Sequence, residues 1–195
     1  MRFTLDTNCI IDIEENRPNH QHLSDLVKLH KSNDINVAVS AISASEWQQT
    51  AEEASDFKIF QQKLSNVGFS ELEILLPPMY WGISSYWGYW VWLDENDTLE
   101  RDIHNILFPA IEFLWVDYVA AHNKNIDAVD NIWRNAKCDV LALWCHIKND
   151  GDIFVTSDSN FYKSSKIELL QNLGTRKVAS PSVALEIAKQ FCSNI

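Results

Sequence analysis

Short apolar runs alternate with longer segments of helical spacing along the chain, and this alternation constrains the fold more than any other feature. The apolar runs cover residues 3–5, 37–40, 72–76, 153–156 and 177–179, lengths typical of buried strands. Strands separated by helices predict an open parallel sheet with helices on both faces. We therefore expect an α/β fold, a Rossmann-like three-layer α/β/α arrangement with a mostly parallel central sheet.

The segments between these runs are predicted to be helices. A short helix follows Asn8, and further helices are expected over 20–31, 43–64, 99–121, 126–148 and 165–172. The last helix begins with Ser180 as its cap and Pro181 at its first position. With 195 residues and 46% hydrophobic content, the chain fits one domain over 1–195, with an insertion at about 78–121.

The cysteines give no sign of a metal site or a disulfide framework. Cys9, Cys138, Cys145 and Cys192 form no C-x-x-C pair, and no Cys/His cluster has the spacing of a structural zinc site. The N-terminal residues lack both a basic region and an apolar signal region. Reduced core thiols and a cytoplasmic location are expected.

Negative charge is concentrated in the middle of the chain. The net charge of −11 argues against a general nucleic-acid binder, and residues 71–120, with 1 Lys or Arg against 9 Asp or Glu, contribute −8 of it. The same region contains WGISSYWGYWVWL at 81–93. A membrane span there is the weaker interpretation, because glycines, nearby prolines and many Trp and Tyr residues suit an aromatic-packed loop. No membrane association is expected.

Acidic residues are predicted to gather at one edge of the sheet. Asp6 follows the first strand, Asp158 follows the fourth, and Glu46 comes soon after the second. Asp139 lies in NAKCDVLALW, at the expected start of an apolar helix that leads back to the fourth strand. Ligands of open α/β sheets bind outside the carboxyl ends of the strands, so the four acids are candidates for one site.

Each acid also has a purely structural interpretation. Asp6 can cap the following helix, and Asp139 can be a favourable charge in the first turn of its own helix. Glu46 closes the capping-box pattern S-x-x-E that begins at Ser43, and Asp158 can be an ordinary turn residue. Taken singly these interpretations are preferred. Together they do not explain why four acids converge, since their mutual repulsion is costly without a cation.

The order of these motifs resembles the PIN-domain nucleases, including the VapC-like ribonucleases. The resemblance rests on LDTN at the first strand, S-x-x-E after the second, a central Asp in an apolar helix, and T-x-D followed by Asn-Phe after the fourth strand. It covers roughly residues 1–76 and 122–192. It implies a PIN-like domain whose catalytic and metal-binding residues are Asp6, Glu46, Asp139 and Asp158. Thr7, Asn8, Thr156 and Asn160 are the implied orienting residues, although many members have an Asp where this chain has Asn160.

The resemblance implies a metal-dependent endoribonuclease that hydrolyses single-stranded RNA to 5′-phosphate and 3′-hydroxyl products. Carboxylate oxygens select Mg²⁺ or Mn²⁺ over zinc or copper. Other catalytic plans fit less well: Asn8 stands where an aspartyl phosphatase has its second carboxylate, and no Gly-rich nucleotide loop or HExxH pattern occurs. A toxin held by an antitoxin-like partner is compatible with the family. The alternative is a catalytically inert PIN-like binding module that acts through its acidic, Trp-rich insertion.

The insertion has three interpretations. Its aromatic residues can stack unpaired bases, form a protein interface, or pack inward as a private core. They are Tyr80, Trp81, Tyr86, Trp87, Tyr89, Trp90 and Trp92. Base stacking is disfavoured because Arg101 is the only Lys or Arg between Glu71 and Ala120. Of the functional interpretations we prefer a protein interface, used either for self-association or for a basic partner.

Overall fold

The sheet has five strands, all of them parallel. In the computed structural model, which describes residues 1–32, 34–44, 57–80, 83–84, 90–94 and 96–194, the strands are β1 (Arg2–Leu5), β2 (Asn36–Ser40), β3 (Glu73–Leu75), β4 (Ile153–Val155) and β5 (Lys177–Ala179). Their order is β3-β2-β1-β4-β5. The predicted α/β fold with helices flanking a parallel sheet is confirmed, and every strand lies within a residue or two of its predicted bounds.

Eight α-helices and one short 3₁₀ helix, Ser159–Tyr162, flank the sheet in the described part of the chain. The α-helices are α1 (Thr7–Glu14), α2 (His20–Lys31), α3 (Phe57–Asn66), α4 (Leu99–Leu107), α5 (Trp115–His122), α6 (Asn131–Lys148), α7 (Ser164–Asn172) and α8 (Pro181–Cys192). Ser180 caps α8 through its hydroxyl, as predicted. No helix of the described residues is long and apolar enough to cross a membrane.

Three helix predictions need adjustment. The segment 99–121 forms two helices, and α4 ends before Phe108 and Pro109. Phe108 leaves the helical conformation because the α region is disfavoured for a residue that precedes a proline. The segment 126–148 becomes helical only at Asn131, since the Asp130 side chain accepts the Ile132 N–H at 2.8 Å and caps α6. In the segment 43–64, residues 45–56 lie outside the described residues, and α3 covers the end.

The insertion shares the core of the sheet. Its buried residues Ile103, Leu107 and Tyr118 belong to the same hydrophobic cluster as the strand residues Phe3 and Val155. Burial in one continuous core gives these side chains most of their stabilising free energy. Of the seven aromatic residues, Tyr80 also packs against this shared core, so the private-core interpretation does not hold for that residue. Trp81, Tyr86, Trp87 and Tyr89 lie outside the described residues.

A buried ion pair fastens the insertion to α6. Nζ of Lys137 lies 2.7 Å from Oε1 of Glu100, and both side chains are almost fully buried. The ammonium also lies over the rings of Tyr80 and Phe113, 4.5 and 3.9 Å from their centroids. Ring faces and a carboxylate together compensate the lost hydration of the Lys137 charge. This contact fixes α4 against the helix that carries Asp139.

The strand order places a ligand crevice at β1. From β1 the chain runs outward through β2 to β3, then returns to form β4 on the other side of β1. At such a reversal the connections leave the sheet in opposite directions and open a crevice at the carboxyl ends of the strands. Asp6 directly follows β1, and Thr156 directly follows β4. The two positions therefore lie at the crevice.

Candidate active site

Asp6 lies buried between the end of β1 and the start of α1. Its side chain is the N-cap of α1, with Oδ1 accepting the Thr7 N–H at 2.8 Å. Oδ2 accepts hydrogen bonds from Asn8 Nδ2 and from the Thr156 hydroxyl, both at 2.7 Å. The capping role expected for Asp6 is present, but a cap needs one acceptor oxygen, and here both oxygens are held in fixed positions. The carboxylate is thus oriented more rigidly than capping requires.

Burial raises the pKa of Asp6 from 3.8 to about 6, with a further contribution from the negative charge of Asp158. The hydrogen bonds from Thr156, Thr7 and Asn8 act in the opposite direction, because they favour the ionised form. Desolvation is the largest of these effects. A buried carboxylate with an acidic neighbour is an environment in which a cation stabilises the ionised form.

Asn8 and Thr156 connect the ends of β1 and β4. Asn8 Nδ2 donates to the Thr156 hydroxyl at 2.9 Å, and Asn8 Oδ1 accepts the Ser157 N–H at 3.0 Å. The Thr156 hydroxyl also accepts the N–H of Asp158 at 3.0 Å. The structure thus places two of the four predicted orienting residues, Asn8 and Thr156, in side-chain contact with Asp6.

Asp139 lies in the middle of α6, not at its start. Because α6 begins at Asn131, eight residues precede Asp139 in the 18-residue helix. The first-turn interpretation is therefore wrong, since the helix dipole acts mainly on the terminal turns. From this position the partly buried Asp139 lines a cleft together with Asp6.

The cleft has a volume of about 300 Å³. It is bounded by the residues after β1 and by one face of α6, and its lining is rich in carboxylate, amide and hydroxyl groups. The lining residues are Asp6, Thr7, Asn8, Ile11, Asn135 and Asp139. Two of the four predicted acids, which are 133 positions apart in the sequence, therefore share one cavity wall.

Asp158 and Asn160 are engaged differently from the prediction. Asp158 Oδ1 accepts the Asn160 N–H at 2.8 Å and caps the 3₁₀ helix, so the structural interpretation of Asp158 as a turn residue holds. Its negative charge still raises the pKa of Asp6. The Asn160 side chain donates to the Leu107 carbonyl at 3.3 Å and accepts from Lys166 Nζ at 2.6 Å. Its amide thus ties the 3₁₀ helix to α4 and α7, and not to Asp6.

Thr7 connects the cleft to the segment after β2. Its hydroxyl donates to the Ser43 hydroxyl at 2.9 Å, and both residues are buried. Ser43 lies three positions before Glu46, which itself lies outside the described residues.

The donors of the cleft suit a hard cation. Among the described residues, no three His, Cys, Asp or Glu side chains form a group that could hold a metal ion. Mg²⁺ does not require such a group, because it keeps several waters and is bound through one or two carboxylates together with substrate phosphate. Asp6 and Asp139 supply two carboxylates and no soft ligand. The lining therefore fits Mg²⁺ or Mn²⁺ in a partly hydrated form.

Two polar residues near the cleft were missed by the sequence prediction. Asn135 lines the cleft, and its position four residues before Asp139 on one helix was the signal that could have found it. Asp12 is buried on α1, where Oδ2 accepts from Asn19 at 2.9 Å and from the Ser157 hydroxyl at 3.1 Å. Nothing in its local sequence indicated a partner that lies 145 positions away.

Comparisons with known proteins add no assignment to this geometry. No protein-family model, curated protein or solved structure matches the chain. The cleft and the motif resemblance are therefore the grounds for a function.

Proposed function

We propose that the protein is a Mg²⁺- or Mn²⁺-dependent endoribonuclease that hydrolyses phosphodiester bonds of single-stranded RNA. The observation that carries this proposal is the shared cleft of Asp6 and Asp139 at the carboxyl end of β1. The choice of RNA as the substrate comes from the resemblance to PIN-domain nucleases.

The residues of the cleft have distinct roles in this proposal. Asp6 and Asp139 hold the cation, and Asn8 and Thr156 fix the orientation of the Asp6 carboxylate through the hydrogen bonds to Oδ2. When bound, the cation activates water and neutralises charge on the phosphoryl oxygens. Asp158 adds negative charge near Asp6 and thereby favours cation binding. Glu46, which lies outside the described residues, remains a predicted ligand.

A cleavage assay on a labelled single-stranded RNA oligonucleotide tests this function. Wild type should cut with Mg²⁺ or Mn²⁺ and not with EDTA, and should leave 5′-phosphate and 3′-hydroxyl ends. Asp139→Asn should lose at least about 100-fold in rate, because one of two carboxylates at the cation is removed. Asp117→Asn, which neutralises an exposed acid on α5, is the matched control and should cut at the wild-type rate. Cleavage that persists in EDTA, or at full rate in Asp139→Asn, contradicts the proposal.

A binding role through the insertion is the second candidate, and an exposed aromatic residue favours it. Trp92 is 76% exposed, although its ring makes an edge-to-face contact with Trp90 at 4.8 Å. A large ring left in water beside an acidic segment is typical of a protein-interface anchor. In this interpretation the partner is an antitoxin-like basic protein or a second copy of the chain.

Sedimentation velocity and partner capture test the binding role. Replacing Trp90 and Trp92 with Ala should weaken self-association or the binding of a basic partner and leave hydrolysis of a short RNA unchanged. A large loss of RNA affinity, with association and stability untouched, would favour base stacking instead.

A further inference from the structure

The cleft contains two asparagines that differ in their hydrogen bonding. Asn8 is fully engaged: its amide nitrogen donates to Asp6 and Thr156, and its oxygen accepts the Ser157 N–H. Asn135 is exposed, and its side chain makes no hydrogen bond within the described part of the chain. Asn8 therefore links the residues after β1 to those after β4, whereas the amide of Asn135 is available to a ligand in the cleft.

Asn135 lies one helical turn from Asp139. Residues four positions apart on an α-helix project from the same face and are separated by about 6 Å along the axis. Both line the cleft, so the face of α6 changes there from a carboxylate at Asp139 to a neutral amide at Asn135. A strand of nucleic acid that leaves the cation along α6 meets the amide directly after the carboxylate.

The charge of the cleft decides which groups of the substrate can lie there. Asp6 and Asp139 repel phosphate wherever no cation intervenes. The Asn135 amide carries two N–H donors and no charge, so it can bind a phosphate oxygen without adding repulsion. Contacts of this kind to the backbone position a nucleic acid without reading its sequence.

We infer that Asn135 is a substrate-positioning residue that donates a hydrogen bond to the phosphate flanking the scissile bond of the RNA. This inference rests on the proposed nuclease function. It adds a sequence-independent contact to the site, on the face of α6 next to Asp139. Because Asn135 binds substrate and not the cation, its loss should affect KM more than kcat.

Steady-state kinetics with a single-stranded RNA in Mg²⁺ test the inference. Asn135→Ala should raise KM about 10-fold, as expected for one lost hydrogen bond to a charged group, with kcat within about 2-fold of wild type. Asn135→Asp should raise KM further, since a third carboxylate repels the phosphate. Asn131→Ala, an asparagine of the same helix outside the cleft lining, is the control and should match wild type. Mn²⁺ affinity should be unchanged in Asn135→Ala.

The possible outcomes separate this inference from the proposed function. If wild type cuts RNA and Asn135→Ala has an unchanged KM, or loses kcat alone, the positioning role is wrong and the nuclease function stands. If wild type binds RNA in Mg²⁺ without cutting it, the nuclease function is wrong, and fluorescence anisotropy of the intact RNA then decides the role of Asn135. Weaker binding by Asn135→Ala supports that role and equal binding overturns it. A wild type that neither cuts nor binds RNA overturns both.

Discussion

The hydroxyl of Thr156 donates a hydrogen bond of 2.7 Å to Oδ2 of Asp6, although the two residues are 150 positions apart in the chain. Both side chains are buried. The contact joins the ends of β1 and β4 and orients the carboxylate that we place at the centre of the site. The side chain of Thr156 therefore contributes both to stability and to the ionisation of Asp6.

Thr156→Val should destabilise the protein and raise the pKa of Asp6, because it removes a buried donor to the carboxylate while keeping the side-chain volume. Hydrogen bonds to charged groups contribute about 1.5 to 3 kcal/mol, and we expect a loss of that size in the free energy of unfolding at pH 7. Urea denaturation measures it. Thr156→Ser keeps the hydroxyl and should lose less, so equal stability of the Val and Ser variants would contradict this role.

Gly151→Ala should destabilise the turn before β4 because a new Cβ would meet the His146 ring. An ideal Cβ at this position lies 2.1 Å from His146 Nδ1, well inside contact distance. Overpacking of a buried position costs about 1 to 3 kcal/mol, measured as the change in the free energy of unfolding. The control is Gly151→Ala in a His146→Ala background, where the ring is gone. An equal cost in both backgrounds would show that the clash is not the cause.

Breaking the ion pair between Lys137 and Glu100 from one side should be costly. Glu100→Gln leaves the buried ammonium without its counter-charge, and such losses reach about 3 to 5 kcal/mol. The double variant Lys137→Met, Glu100→Leu removes both charges and should be more stable than Glu100→Gln alone. Chemical denaturation compares the two, and a double variant that is the less stable of them would contradict a dominant role of the unpaired charge.

Asp6 and His146 act on the pH dependence of stability with opposite signs. Burial raises the pKa of Asp6 from 3.8 to about 6, so the folded protein binds the extra proton between these values and stability rises as pH falls. Burial lowers the pKa of His146 from 6.5 to about 4, so the unfolded chain binds the extra proton and stability falls as pH falls from 6.5 to 4. Each effect is about 3 kcal/mol in size, so they nearly cancel in the wild type.

His146→Gln should expose the contribution of Asp6. Relative to wild type, the variant should gain up to about 3 kcal/mol in the free energy of unfolding between pH 6.5 and pH 4, whatever its stability at pH 6.5. Urea denaturation of both proteins across this range gives the difference between their free energies of unfolding. The contributions of the other titrating groups cancel in that difference. A difference that does not change with pH would mean that His146 is not held neutral by burial.

The sheet was predictable because each strand is a short apolar run with its own turn signals. Asp6 could be placed at the carboxyl edge for the same reason, since parallel strands end together. The helical spacing of apolar residues between 99 and 121 did not indicate the break between α4 and α5, although Pro109 was a sequence signal for it. The start of α6 depended on the cap at Asp130, which the predicted segment 126–148 missed by beginning too early. The first-turn interpretation of Asp139 took NAKCD as the start of a helix, but α6 is already eight residues long before Asp139.

Pairings between distant segments were not predictable. Lys137 and Glu100 are 37 positions apart, and neither belongs to a motif that indicates the other. The resemblance placed Asn160, two residues after the T-x-D motif, near the carboxylates, but its amide contacts Lys166 and the Leu107 carbonyl. Such contacts are set by how the insertion packs onto α6 and the 3₁₀ helix, which local sequence patterns do not encode.

Binding of Mn²⁺ to the full chain, followed by electron paramagnetic resonance of the free ion, tests the central claim most directly. The account predicts saturable binding by wild type and by the surface control Asp117→Asn. Asp139→Asn should bind at least about 10-fold more weakly while remaining folded, because the cleft then keeps one of its two carboxylates. Equal Mn²⁺ affinity in Asp139→Asn and wild type, or no saturable binding by wild type, would contradict a cation site formed by Asp6 and Asp139.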